Sequence, residues 1–92
     1  MKLHQKGFLL VALSKNNKLW DDELIVQAFI EYNISGDYSE KTLRIALDEL
    51  SAAGLITRVE KRLESNIRHA KLLFRYQLSD FGRMRMVDTG LL

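Results

Sequence analysis

Residues 38–60 read YSEKTLRIALDELSAAGLITRVE, and the fold that we expect follows from this stretch. Its apolar residues recur at intervals of three and four, which is the spacing of one buried helix face. These residues are Leu43, Ala46, Leu47 and Leu50. Gly54 can adopt the left-handed conformation that ends a helix, and residues 55–57 favour a strand. The stretch therefore predicts a helix over residues 39–53 that leads directly into a strand.

Three residues are suited to begin helices. Ser39 can cap the helix just described with its hydroxyl, and Tyr38 and Leu43 have the spacing of a hydrophobic staple. Asp21 can cap an earlier helix, and Ser79 can cap a short helix near the end of the chain. Each cap supplies an acceptor for a backbone N–H that would otherwise have no partner within the helix.

The rest of the sequence predicts an α+β fold, mostly α, in a single domain over residues 1–92. The expected elements are a helix over residues 2–14, a brief strand at 18–20, a helix from Asp21, the helix of 39–53, strands at 55–64 and 71–78, and the short final helix. Alternating apolar and charged residues make the first of these two strands half-buried with a basic outer face. In the second, Phe74, Tyr76 and Leu78 are expected to face inward. Together the two strands form a β-hairpin.

The composition excludes several classes of protein. The chain has 92 residues, of which 47% are hydrophobic and 28% charged, as expected of one globular domain. It contains no cysteine, and its two histidines have no partners at metal-ligand spacing, so we expect no metal and no cofactor. No stretch approaches the roughly 20 apolar residues of a membrane span. Because the lack of cysteine suits a reducing compartment, we expect a cytoplasmic protein with no membrane segment.

The sequence gives little support to catalysis. Asp21, Asp22 and Glu23 form a cluster of carboxylates, but they lie at a predicted helix start, where the helix dipole favours negative charge without any chemistry. The chain has no cysteine nucleophile, no Ser/His/Asp set and no phosphate-binding glycine loop. We therefore expect no enzymatic activity.

Two motifs carry a resemblance to a known class of protein. The run TLR at residues 42–44, continued by Leu47, Leu50 and AGLI at 53–56, resembles the segment of small winged-helix transcriptional regulators in which the recognition helix leads into the wing. The run YQLSDFG at 76–82 is similar to the second wing strand and following helix start of MarR- and PadR-type regulators. The two motifs, with the residues between them, cover about half of the chain, and two predicted helices precede them.

The resemblance implies a winged helix-turn-helix fold: a three-helix core, a two- to three-stranded antiparallel β wing and a short C-terminal helix. It also implies sequence-specific binding of double-stranded DNA by a small transcriptional regulator. Related regulators often form homodimers through their terminal helices, and the C-terminal end of this chain is apolar. Its residues Met84, Met86, Val87, Leu91 and Leu92 are expected either to fold back on the core or to pair with a second copy.

In a winged helix, the helix of residues 39–53 enters the major groove of DNA. The candidate contacts from this helix are Ser39, Lys41, Thr42, Arg44 and Ile45. We expect Lys41 and Arg44 to contact phosphates or guanines, and Ile45 to contact a thymine methyl group. The hydroxyls of Ser39 and Thr42 can reach a phosphate or a base edge. The alternative is an ordinary solvated helix face with an ion pair between Arg44 and Asp48.

The predicted hairpin concentrates the positive charge of the chain. Residues 57–77 carry six Arg and Lys residues against two Glu residues. We expect contacts along the phosphate backbone or in a minor groove from Arg58, Lys61, Arg62, Arg68, His69, Lys71 and Arg75. Arg68, at the expected tip, is the first choice among them. The alternative is an edge hairpin whose charges protect it from pairing with other chains.

A function of a different class also fits the sequence. The net charge of +2 is small for a nucleic-acid-binding protein, and residues 39–53 carry two cations against three carboxylates. The alternative function is therefore a winged-helix protein–protein interaction module that does not touch DNA. In that case the acidic helix would face a partner protein. The modest net charge favours this alternative, and the basic hairpin disfavours it.

Overall fold

The computed structural model describes residues 3–65 and 70–92, which form four helices and three strands. In chain order these are α1 (Gln5–Lys15), β1 (Leu19–Trp20), α2 (Asp21–Tyr32), α3 (Asp37–Ala52), β2 (Ile56–Ser65), β3 (Ala70–Leu78) and α4 (Asp80–Asp88). The predicted order of elements is confirmed, and so is an α+β fold in which helix predominates.

The three described strands form one antiparallel sheet in the order β1-β3-β2. The short β1 pairs with the C-terminal half of β3, where Leu19 lies opposite Tyr76. On its other side β3 pairs with β2 along its whole length, from Ile56 opposite Leu78 to Ser65 opposite Ala70. The sheet is therefore a long hairpin with a short third strand at its base.

The core lies where the helices meet the base of this sheet. The predicted stripe of α3 is buried, and it packs with buried residues of every other element; the cluster is Leu9, Leu10, Ala12, Leu13, Leu19, Leu24, Ile25, Ala28, Leu43, Ala46, Leu47, Leu50, Ile56, Tyr76 and Met86. Tyr76 is buried, and Phe74 and Leu78 pack against the cluster, so the predicted inward face of β3 is confirmed. Burial of one face of α3 thus holds α1, α2 and the sheet around it.

The start of α3 differs from the prediction. The helix begins at Asp37, and its N-cap is Gly36, whose carbonyl accepts from the Glu40 N–H at 3.0 Å. Ser39 is therefore a residue of the first turn and does not cap the helix. Tyr38 is 84% exposed, so the predicted staple between Tyr38 and Leu43 is also wrong. Because the helix starts two residues early, Tyr38 lies on its outer surface.

The end of α3 is as predicted. Gly54 has a φ of 79°, which residues with a side chain rarely adopt, and the Leu55 N–H donates to the Leu50 carbonyl at 3.0 Å. Ser79 caps α4, because its Oγ accepts from the Gly82 N–H at 2.9 Å. The same hydroxyl donates to the Gly54 carbonyl at 2.6 Å, which ties the start of α4 to the turn after α3.

The predicted cap of α2 is wrong. Its N-cap is Trp20, whose backbone N–H donates to the Glu23 carboxylate at 2.9 Å. Asp21 is the first residue of the helix, and its side chain is turned into the protein, where it is 2% exposed. Asp21 thus serves a purpose other than capping, because tertiary contacts outweigh the local preference for the N-cap position.

Most of β2 lies beyond the core. Ile56 is buried, but residues 57–65 are exposed, so the prediction of a half-buried strand is wrong. The alternation of faces also changes at a bulge, where the register against β3 passes from Arg58 directly to Glu60 and leaves Val59 unpaired. The hairpin therefore extends past the helices, which cover only its base.

Two observations apply only to the described part of the chain. Within residues 3–65 and 70–92, no helix has the length and apolar character needed to cross a membrane. In the same residues, no three or more His, Cys, Asp or Glu side chains are grouped so that they could hold a metal ion.

Candidate nucleic-acid interface

A groove of about 750 Å³ runs between α3 and β3. We call it the α3–β3 groove; its lining residues are Asp21, Asp37, Glu40, Lys41, Arg44, Leu47, Asp48, Ala70, Lys71, Leu72, Phe74 and Tyr76. Its α3 wall carries three carboxylates besides its two cations, and its floor is apolar. One wall of the groove is α3 and the other is β3 of the projecting hairpin. The outer surface of α3 and the hairpin therefore lie next to each other.

Asp21 joins three elements beneath this groove. One carboxylate oxygen accepts from Arg44 Nη1 of α3 at 2.8 Å and from the backbone N–H of Phe74 in β3 at 3.2 Å. The other accepts from the Asp22 N–H at 2.8 Å, within α2. Phe74 lies just past the end of β1, so the carboxylate takes the place of a neighbouring strand for that N–H. The buried carboxylate therefore fixes α3 relative to the hairpin.

Arg44 is engaged inside the protein. Besides Asp21, its guanidinium contacts Asp22 at 2.8 Å and Glu40 at 3.7 Å, and its side chain is 26% exposed. Burial alone would lower the pKa of Arg44, but the hydrogen bond to Asp22 and the neighbouring carboxylates raise it. Arg44 therefore stays protonated and positively charged. The predicted ion pair between Arg44 and Asp48 is wrong, since Asp48 pairs with Arg58.

Asp22 extends this network to the hairpin. Its Oδ1 accepts from Arg44 and lies 3.1 Å from Nζ of Lys71 in β3. Burial raises the pKa of Asp22, but the hydrogen bonds and charges of Lys71 and Arg44 outweigh that effect and lower it below 3.8. Asp22 is therefore ionised at neutral pH and holds both cations.

Arg58 forms a second bridge across the groove. Its Nη2 donates to Asp48 of α3 at 2.9 Å and to the Tyr76 hydroxyl at 3.0 Å. The guanidinium carbon lies 3.8 Å from the centroid of the Phe74 ring, within the range of a cation–π contact. Burial raises the pKa of the Tyr76 hydroxyl, so this group stays protonated beside the guanidinium. Arg58 thus links the base of the hairpin to the outer side of α3.

Two more hairpin arginines lie over the other face of the sheet. The guanidinium carbons of Arg62 and Arg75 are 4.8 Å and 5.8 Å from the centroid of the Trp20 ring. Each also has a carboxylate partner on β2, with Arg62 3.0 Å from Glu64 and Arg75 3.2 Å from Glu60. These contacts hold Arg62 and Arg75 on the face of the sheet opposite Arg58.

The outer surface of α3 brings together most of the residues predicted for that helix. Tyr38, Lys41, Thr42 and Ile45 are all exposed, and their spacing of three, four and seven residues puts them on one side of the helix. We call these four residues the exposed α3 face. Arg44 lies off this face, and Ser39 is half-buried. Tyr38 was missed by sequence reasoning because it was assigned to a staple.

Two predicted cations stand apart from the ion pairs. The side chains of Lys41 on the exposed α3 face and Lys61 on β2 make no hydrogen bond or ion pair with the part of the chain that the structure describes. Arg44, Arg58, Arg62, Lys71 and Arg75 all have carboxylate partners. Arg68 and His69, which were also predicted as contacts, lie outside the described residues.

No protein-family model, curated protein or solved structure matches this chain. The function must therefore be argued from the arrangement of the exposed α3 face, the groove and the hairpin.

Proposed function

We propose that the protein binds double-stranded DNA as a winged helix, with α3 in the major groove and the β2–β3 hairpin against the flanking backbone. The observation that carries this proposal is the exposed α3 face beside a projecting hairpin with five cations and two carboxylates in its described strands. The order of elements and the β1-β3-β2 sheet are those expected of a winged helix. A small transcriptional regulator is the class of protein that this arrangement suits best.

The ion pairs of the hairpin are compatible with this function. Pairs between exposed side chains contribute only about 0–1 kcal/mol each, so a phosphate can replace the carboxylate partner at little cost. This applies to Arg58, Arg62 and Lys71, which are exposed, whereas Arg75 is half-buried. Lys61 has no carboxylate partner among the described residues, so a phosphate can bind it without displacing one. Arg44 differs, because releasing it would leave the buried carboxylate of Asp21 without its charged partner. We therefore assign Arg44 to positioning α3, and the hairpin cations to binding phosphates.

A second candidate function is favoured by the charges of the α3–β3 groove. Its α3 wall carries Asp37, Glu40 and Asp48, which would repel phosphates. A winged-helix protein–protein interaction module would use this wall to bind cationic side chains of a partner. The candidate predicts no affinity for duplex DNA, so one binding experiment separates the two functions.

Homodimerisation through the terminal segments stays a prediction. Of the apolar C-terminal residues, Met86 is buried and Leu91 packs against the core, so part of this segment folds back. Met84, Val87 and Leu92 are exposed and are the residues available to a second copy. A dimer would present two α3 helices to paired half-sites on DNA.

Binding to duplex DNA should fall steeply with salt. Each phosphate contact contributes a slope of about −0.9 to a plot of log affinity against log salt concentration, so three to six contacts predict a slope of about −3 to −5. Replacing Lys61 with alanine should make this slope shallower by about one unit. The matched control, Lys15→Ala at the end of α1, should leave the slope unchanged. Fluorescence anisotropy with a labelled duplex measures all three. No measurable binding to duplex DNA at about 50 mM salt would contradict the proposed DNA binding and favour the protein–protein interaction module.

A further inference from the structure

The side chains that α3 can offer to base pairs are few. The helix Asp37–Ala52 contains no Asn, Gln or His, and its one arginine is Arg44. Bidentate reading of adenine uses Asn or Gln, and the commonest reading of guanine uses Arg or Lys. Because Arg44 is held by Asp21 and Asp22, the exposed α3 face has no side chain for bidentate reading of adenine, and Lys41 is the one member of this face that can read guanine. Any sequence preference beyond a guanine at Lys41 must come from other chemistry.

The exposed α3 face is instead rich in apolar surface. Ile45 is 57% exposed and Tyr38 is 84% exposed, although both side chains are of types that proteins usually bury or half-bury. The hydroxyl of Thr42 donates to the Tyr38 carbonyl at 2.9 Å, so Thr42 offers only acceptor lone pairs and a methyl group. Lys41 is the one cation of this face. The apolar group that DNA presents in the major groove is the thymine C5-methyl.

We propose that α3 selects its sites by contacts of Tyr38 and Ile45 with thymine methyl groups, with Lys41 between them on a phosphate or a guanine. This inference rests on the proposed DNA binding. The two residues are seven positions apart, which is about 10 Å along the helix axis, so the thymines they contact lie about three base pairs apart. The hairpin cations supply the charge complementarity that holds the duplex while the apolar face selects the sequence.

The test begins by selecting preferred duplexes from a random pool with the full chain. A preferred duplex is then remade with deoxyuridine in place of each thymidine, which removes the C5-methyl and leaves the base pair intact. Loss of one buried methyl group should weaken binding about fourfold. The expected result is therefore two thymines, about three base pairs apart, at each of which deoxyuridine weakens binding by about this factor.

Variants assign each methyl group to a side chain. Ile45→Ala should remove the difference between thymidine and deoxyuridine at one position, and Tyr38→Ala should remove it at the other. The matched control is Ile30→Ala on α2, which removes an isoleucine that is 77% exposed and should leave both differences in place. Circular dichroism checks that each variant is folded, as expected for substitutions at exposed side chains.

The outcomes separate this inference from the proposed function. Equal affinity for the thymidine and deoxyuridine duplexes, or a pool that stays random although duplexes are bound, overturns methyl recognition and leaves DNA binding intact. Loss of the difference in Ile30→Ala as well overturns the assignment to the exposed α3 face. Absence of binding to any duplex overturns the inference together with the proposed function.

Discussion

Replacing Asp21 with alanine should lower the free energy of unfolding by about 3–5 kcal/mol. The substitution removes a carboxylate that is 2% exposed, takes away a partner of Arg44 and leaves the Phe74 N–H without its acceptor. A domain of this size has a total stability of roughly 5–15 kcal/mol, so much of it would be lost. Urea unfolding, followed by the fluorescence of the single tryptophan, Trp20, measures the change.

The neighbouring carboxylate provides the control. Asp22 also contacts Arg44, at 2.8 Å, but it is only half-buried, with its side chain 39% exposed, so Asp22→Ala should cost no more than about 1 kcal/mol. The difference between the two variants isolates the effect of burial and of the hydrogen bond to the Phe74 N–H, since Asp22 reaches β3 only through the side chain of Lys71. If Asp21→Ala and Asp22→Ala destabilised the protein equally, Asp21 would not be the residue that fixes α3 to the hairpin.

Replacing Gly82 with alanine should cost about 3 kcal/mol or more, because the added Cβ has no room. That atom would lie 2.0 Å from the carbonyl oxygen of Leu55 and 2.9 Å from its carbonyl carbon. Both atoms belong to the backbone of the turn between α3 and β2, so α4 would have to move away from this turn. The loss should appear in urea unfolding and as a weaker helical signal in circular dichroism.

Gly7, the glycine within α1, provides the comparison, because there a change to alanine should raise rather than lower the free energy of unfolding. A Cβ added at Gly7 would meet its nearest neighbour, Leu3 Cβ, at 3.8 Å, which is an ordinary contact. Gly7→Ala should therefore stabilise the protein by about 0.5 kcal/mol, since alanine loses less backbone freedom on forming a helix. Equal effects of the two substitutions would mean that α4 does not pack against the Leu55 carbonyl.

The elements of the fold could be predicted because their signals are local. The period of Leu43, Ala46, Leu47 and Leu50 is enough to predict a buried helix face, and Gly54 is enough to predict its end. The first turn of α3 was misjudged because Ser39 and Gly36 compete for the N-cap, and the choice depends on the path of the chain before the helix. The close packing of Gly82 could not be predicted, since nothing near it in sequence indicates the Leu55 carbonyl.

The candidate site was less predictable, because its contacts join residues far apart in sequence. Asp21 meets Arg44 from 23 residues away and the Phe74 N–H from 53 residues away. From the sequence, the carboxylates of residues 21–23 needed no explanation beyond the helix dipole, and Arg44 had a nearer partner in Asp48. The bulge at Val59 likewise follows from strand pairing rather than from the alternation of β2. Exposure of Lys41 and Ile45, in contrast, followed directly from the helical period.

The most direct test of DNA binding by α3 and the hairpin is the response of backbone amide NMR signals to added duplex DNA. We expect the largest shifts at the exposed α3 face, Tyr38 to Ile45, and in the strands of the hairpin. Small shifts are expected at the exposed residues of α4, such as Met84 and Val87, apart from any that accompany dimerisation. Shifts confined to α2 or α4, or no shifts at a salt concentration of about 50 mM, would contradict the account.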